Sequence, residues 1–303
     1  MEGSLNISNN ENVSYFANSA IGIVGGYSAY RYLPKYMKEP YAKYYLEKCH
    51  NISPLEHNQY RNAAIQSFTD SKYFNPRLQI VDVNRANWKI IANDINQRYN
   101  YARNNRNSNP VAKFLTKIFS KKDGFIANKV MIIAQGKNAS YIPLTSQILL
   151  NKDKMGITTF HELGHFINGS SKGIRRMLAR SRVLSIVSVP AILGIGLLTP
   201  KREEGDEYTN PLAKTAAFIK KHCGVLAGIS MLPVIIEEGV ASINGAQLAK
   251  KVLNKNMYKK LNKFNFMAFS SYIIGASILG ICTALAVYIK DKVSGAKPVK
   301  VKD

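Results

Sequence analysis

Apolar residues are distributed along this chain in three regimes, and each predicts a different kind of element. Residues 1–15 are polar, Asn-rich and expected to be poorly ordered. They are followed by a small, Gly-rich apolar segment at about 16–30 in "YFANSAIGIVGGYSAYRYL", near the lower limit of what can cross a bilayer. From 31 to 155 the chain is polar, rich in Asn, Tyr and Lys, with apolar positions at helical steps. After residue 182 long apolar runs take over: "VLSIVSVPAILGIGLLT" at 183–199, "CGVLAGISMLPVII" at 223–236 and "MAFSSYIIGASILGICTALAVYI" at 267–289. The first and last are uncharged and suit membrane helices; the middle one is short enough to suit a buried soluble helix equally well.

Within the polar region, Trp88, Ile91, Ile95 and Tyr99 recur at three- and four-residue steps and predict one face of a helix. Val111, Phe114, Leu115 and Ile118 do the same in "VAKFLTKIFSKK", with Lys113, Lys117, Lys121 and Lys122 on the other faces. Further on, "VMIIA" and "SQILL" are short apolar runs between turn residues, and they predict two strands of a small sheet. An exposed sheet edge is what a peptide needs if it is to bind as an added strand.

Charge changes this picture in one respect. The chain carries 42 Lys and Arg against 19 Asp and Glu, a formal charge of +23, which favours an anionic partner. With apolar runs present and no nucleic-acid-binding motif, an anionic lipid surface fits better than nucleic acid. Arg175, Arg176, Arg180 and Arg182 precede the first long run, and Lys250, Lys251, Lys255, Lys259, Lys260 and Lys263 follow the second. If both runs span, these flanks share one side, which the bias of basic loops makes cytoplasmic. A third span at 267–289 would put the Lys-rich tail on the opposite side and weaken that bias. Cys49, Cys223 and Cys282 are far apart and odd in number, so they read as small apolar residues.

The candidate chemistry sits in "TTFHELGHFING", residues 158–169. Residues four apart stack on one helix face, so His161 and His165 can address one ion. Two imidazoles and a carboxylate are a catalytic zinc donor set that leaves one position open, and Glu162 is placed to act as base toward a water. One Zn2+ per chain is expected. The third ligand comes from "IIEEGVAS", where Glu237 and Glu238 end an apolar run and are costly there unless a cation pairs them. Periodicity does not choose between the two.

The ordered set of a histidine helix, apolar helices and a glutamate helix resembles the integral-membrane zinc metalloproteases of the HtpX heat-shock and CAAX prenyl protease type, and the related YugP-like neutral zinc metallopeptidases. The resemblance covers roughly 129–250. It implies Glu238 as third ligand, through an E-x-x-A pattern followed by Asp or Ser that matches Glu238, Ala241 and Ser242. Ser242 then steadies a ligating histidine, and Glu237 stays the alternative ligand. The resemblance also implies that Asn138, Ala139, Ser140 and Tyr141 form an edge strand that holds the substrate backbone. An oxyanion-stabilising side chain is required as well; His222 is a candidate by residue type alone. His50 and His57 read as surface or loop histidines.

The expected fold is thus mainly α with a small β-sheet, a thermolysin-like (gluzincin) zincin core with transmembrane helices. Residues 1–30 are a polar N-terminus and candidate anchor, and 31–128 a helical region without assigned role. The catalytic core is expected at 129–266, with an apolar hairpin at 183–199 and 223–236, and a C-terminal transmembrane helix and basic tail at 267–303. The expected activity is membrane-embedded, zinc-dependent peptide-bond hydrolysis on polypeptides, membrane proteins included. The alternative is a non-enzymatic membrane protein with a structural or vestigial zinc site and a basic lipid- or partner-binding face.

Overall fold

The computed structural model describes residues 3–105, 124–201 and 210–295, and the basic amphipathic segment of Val111 to Lys122 lies outside them. In chain order the elements are α1 (Gly3–His50), α2 (Pro54–Thr69), β1 (Gln79–Asp82), α3 (Trp88–Asn105), α4 (Gly124–Ala134), β2 (Ser140–Ile142), β3 (Gln147–Leu150) and α5 (Lys152–Met155). After a 3-10 turn at Gly156–Thr158 come α6 (Thr159–Ser170), α7 (Ile174–Leu198), α8 (Pro211–Lys221), α9 (Cys223–Ile229), α10 (Leu232–Ala249) and α11 (Lys255–Ser294). The chain is mainly α with a small sheet, and it divides into two compact units.

The first unit, Lys43–Ala179 with Glu237–Phe269, holds the sheet. It groups segments from 31–128 with the histidine helix. β3 lies in the centre, parallel to β1 on one side and antiparallel to β2 on the other. All four β3 residues are buried, as expected for a strand covered on both faces. Ile148 and Leu150 join one cluster with Tyr60 and Phe68 of α2 and Phe160, Leu163 and Phe166 of α6. Leu149, pointing the other way, joins Ile95 of α3 and Val130 and Ile133 of α4. The helical face predicted from Trp88 to Tyr99 is present, with Ile95 fully buried, Ile91 packed against the core and Tyr99 at its exposed end.

Three local expectations are corrected here. "VMIIA" is the end of helix α4, not a strand: Val130, Ile133 and Ala134 are buried at i, i+3 and i+4, a helical face that a short apolar run conceals. His57 is no surface or loop residue but fully buried within α2, its ring bonded to the Cys49 carbonyl through Nε2 (3.2 Å) and to the Ile157 N–H through Nδ1 (3.3 Å). α1 is helical from Gly3, inside the segment expected to be poorly ordered.

The second unit comprises Met1–Ala42, Arg180–Ile236 and Ser270–Asp303. Among the described residues, three helical stretches are long and apolar enough to cross a membrane: Ser181–Leu198, Cys223–Ala249 (α9 and α10) and Lys255–Ser294. The 16–30 segment, inside α1, is not among them. Within this unit the helices meet through small residues. A Cβ on Gly26 of α1 would overlap the Ala286 carbonyl of α11, and one on Gly22 would come within 2.8 Å of the Lys290 carbonyl. A Cβ on Gly224 of α9 would come within 2.9 Å of the Gly280 carbonyl oxygen of α11, and one on Gly280 within 2.7 Å of the Gly224 carbonyl oxygen. Such backbone approach is how helices associate in lipid, where apolar burial gives no drive. All three cysteines are free and buried, in keeping with their reading as small apolar residues.

Candidate metal centre

Two helices of the first unit build the site, and glycine decides how near they come. α6 presents Phe160, Leu163, Phe166 and Ile167 to the core, which turns His161 and His165 to its other face. A Cβ on Gly164 would overlap the carbonyl of Ala241 in α10, and one on Gly245 would overlap the carbonyl of Phe160. The helices therefore cross in backbone contact. The crossing sets Glu238 against both histidines.

His161 Nε2 lies 3.1 Å and His165 Nε2 3.3 Å from Glu238 Oε2, and the two nitrogens are 3.0 Å apart. All three side chains offer a ligand atom within 4.8 Å of one another, so the group could hold a metal ion. The site is secluded, with the side chains of His161, His165 and Glu238 only 12%, 10% and 1% exposed.

The outward ring nitrogens are also engaged. His161 Nδ1 is 3.0 Å from Ser242 Oγ, and His165 Nδ1 is 2.7 Å from Glu237 Oε1. Glu237, the alternative ligand, thus sits on the far side of His165 from Glu238. Its carboxylate accepts the Nδ1 proton and leaves the lone pair of Nε2 facing Glu238. Such an arrangement fixes tautomer and ring orientation in metal sites. Asn168 Nδ2 donates to Glu237 Oε1 at 3.3 Å, and Asn244 Nδ2 donates to Asn168 Oδ1 at 2.7 Å. Sequence reasoning missed both asparagines. The signal was their spacing, since Asn168 follows His161 by seven residues and Asn244 follows Glu237 by seven, two helical turns along one face.

A donor set of this kind could hold a cation. Lone pairs on Nε2 of His161 and His165 and a carboxylate oxygen, all about 3 Å apart and buried, repel one another unless positive charge lies between them. Burial works against a charge on His165, but with a proton on Nε2 its hydrogen bonds to Glu237 and Glu238 outweigh burial and raise the imidazole to about 10, so either a proton or a metal ion can supply the positive charge. Ligands about 2.0–2.1 Å from a tetrahedral ion stand roughly 3.3 Å apart, so the observed spacings fit one small ion.

Glu162 is buried and points to the sheet, where its Oε2 accepts the Tyr141 N–H at 2.6 Å. The predicted strand is therefore an edge strand, β2, beside Glu162. Ser140 and Tyr141 belong to it, whereas Asn138 and Ala139 lie between the turn at Gln135 and Gly136 and the strand, with Asn138 Oδ1 accepting the Ala139 N–H at 3.0 Å. The Tyr141 ring packs edge-on against Phe166, centroids 5.8 Å apart. His222 belongs to the other unit, with its ring 4.7 Å from that of Phe218.

Comparison of the chain with protein-family models, curated proteins and solved structures gives no match.

Proposed function

We propose that this protein is a membrane-embedded, zinc-dependent endopeptidase. The observation that carries the reading is the convergence of His161, His165 and Glu238, two imidazoles and one carboxylate, with Glu162 next to the first of them. Two neutral nitrogens and one oxygen are the donor set of catalytic zinc, with a fourth position left open. Zinc held there would supply a Lewis acid and lower the pKa of a coordinated water.

The chain's own residues do the rest. Glu162 takes the proton of the attacking water and returns it to the leaving amine. Its Oε2 is fixed by the Tyr141 amide, so Oε1 is the oxygen that handles the proton. β2 ends the sheet, and an extended peptide pairing along it would carry its scissile bond past Glu162. Glu237 and Ser242 orient the imidazoles, while Asn168 and Asn244 hold Glu237. The three apolar helices suit an integral membrane protein, and the basic flanks of the first two runs favour a cytoplasmic active site. The core is then that of a gluzincin, as the motif order suggested.

One observation favours a second reading, a non-enzymatic membrane protein with a structural metal. The bond from Tyr141 to Glu162 gives this carboxylate a structural task, tying β2 to α6. Glu162→Gln separates the two, because the amide oxygen still accepts the Tyr141 N–H but cannot carry the proton. Cleavage of unfolded membrane polypeptides by wild type and not by a folded, metal-loaded Glu162→Gln supports the protease. Equal behaviour of the two proteins rejects it.

A further inference from the structure

Away from the metal centre, the second unit gathers three places where apolar chain turns polar. α7 ends at Leu198 and is followed by Lys201; α9 begins at Cys223, directly after Lys221 and His222; and the uncharged stretch of α11 closes at Ile289, before Lys290, Asp291 and Lys292. Two of the lysines tie these junctions together. Lys220 Nζ donates to the Thr199 carbonyl at 3.1 Å and to Asp291 Oδ1 at 2.7 Å, and Lys290 Nζ donates to the same two oxygens at 2.9 and 3.2 Å.

The junctions border a cavity of about 830 Å³. Its walls combine two chemistries. Val225, Ala284 and Val287 make an apolar floor, while Lys201, Lys221 and Lys292 stand exposed around it. Asp291, the one carboxylate lining it among the described residues, already sits between the ammonium groups of Lys220 and Lys290. Two cations share one anion there, so among the described residues the lining keeps a positive excess.

We infer that this cavity binds an anionic phospholipid, its headgroup phosphate held by Lys201, Lys221 and Lys292 and an acyl chain lying along Val225 and Val287. A soluble anion would need the cations and no apolar floor, and a neutral lipid would need the floor without the cations. The level fits too, because uncharged runs end where headgroups begin. The inference rests on the membrane-spanning reading of the three helices and is independent of metal chemistry.

The test is native mass spectrometry of the full-length protein in neutral detergent, titrated with phosphatidylglycerol, phosphatidylcholine or inorganic phosphate. Expected are one retained phosphatidylglycerol per chain and roughly hundredfold weaker retention when Lys201, Lys221 and Lys292 are all changed to Gln. Changing Lys250, Lys251 and Lys259 to Gln removes as much charge from the other unit and should leave retention as it was. Equal retention in the first triple variant, phosphatidylcholine held as tightly, or displacement by inorganic phosphate at matching concentration each overturns the lipid site. Release of the protein from membranes by alkaline carbonate overturns the membrane reading itself.

Discussion

Gly164 of α6 and Ala241 of α10 meet backbone to backbone, so closely that a single added methyl on Gly164 would overlap the Ala241 carbonyl. The distance between His161 and Glu238 depends on that contact and on its counterpart between Gly245 and Phe160.

Gly164→Ala and Gly245→Ala should therefore each push the helices apart, costing about 1–3 kcal/mol as overpacking and weakening metal retention. Gly169→Ala is the control, since its Cβ would meet the Tyr141 ring at an ordinary 3.9 Å. Thermal unfolding in detergent and metal content, measured together, should show a loss for the first two variants and none for the third. A Gly164→Ala protein with full metal and full stability would show that the crossing does not set the site.

Removing the Glu237 carboxylate should act on metal affinity through His165. Glu237→Ala strips the Nδ1 acceptor and leaves Asn168 Nδ2 with only the residue-237 backbone carbonyl, so metal affinity should fall about 10–100-fold in chelator competition. Glu237→Gln, which keeps an acceptor oxygen, should fall less. A loss of all metal in both variants would instead make Glu237 a ligand.

Glu162→Gln should lower turnover by about 10²–10⁴-fold with metal content unchanged, the loss typical of a missing proton carrier. Glu162→Ala should in addition free the Tyr141 amide, which loses its side-chain acceptor while β2 stays paired with β3. Hydrogen exchange of that amide, slow in wild type and Gln and fast in Ala, reads the second effect separately.

How much of this was legible beforehand differs between elements. His161, Glu162 and His165 announced themselves by spacing, and the glutamate pair by standing at the end of an apolar run. Which glutamate faces the histidines is a matter of where α10 crosses α6, which no single helix's periodicity contains. β1 escaped notice because its partner is β3, 68 residues on, and four residues of chain carry no pattern of their own. By propensity alone Gly164 and Gly245 weaken the helices that hold them. Only the crossing explains them.

His57 predicts an acid-sensitive core. Burial lowers its pKa from the usual 6.5, with the Cys49 carbonyl and Glu56 acting the other way and His50 and Lys260 adding to the lowering. The folded state thus binds this proton less readily than the unfolded one, whose histidine has a pKa of about 6.5. Stability is unaffected above that pH and declines as pH falls below it. Protonation would also set an Nδ1 hydrogen against the Ile157 N–H. Unfolding temperature should drop between about pH 7 and 5 in wild type and depend less on pH in His57→Gln; an identical slope in both would assign the acid sensitivity elsewhere.

The most direct measurement is the zinc content of detergent-purified protein by elemental analysis, for wild type, Glu162→Gln, His161→Ala and Glu238→Ala. The account predicts one zinc per chain in the first two and almost none in the last two. Wild-type protein free of zinc, or zinc retained in full by His161→Ala and Glu238→Ala, would contradict it.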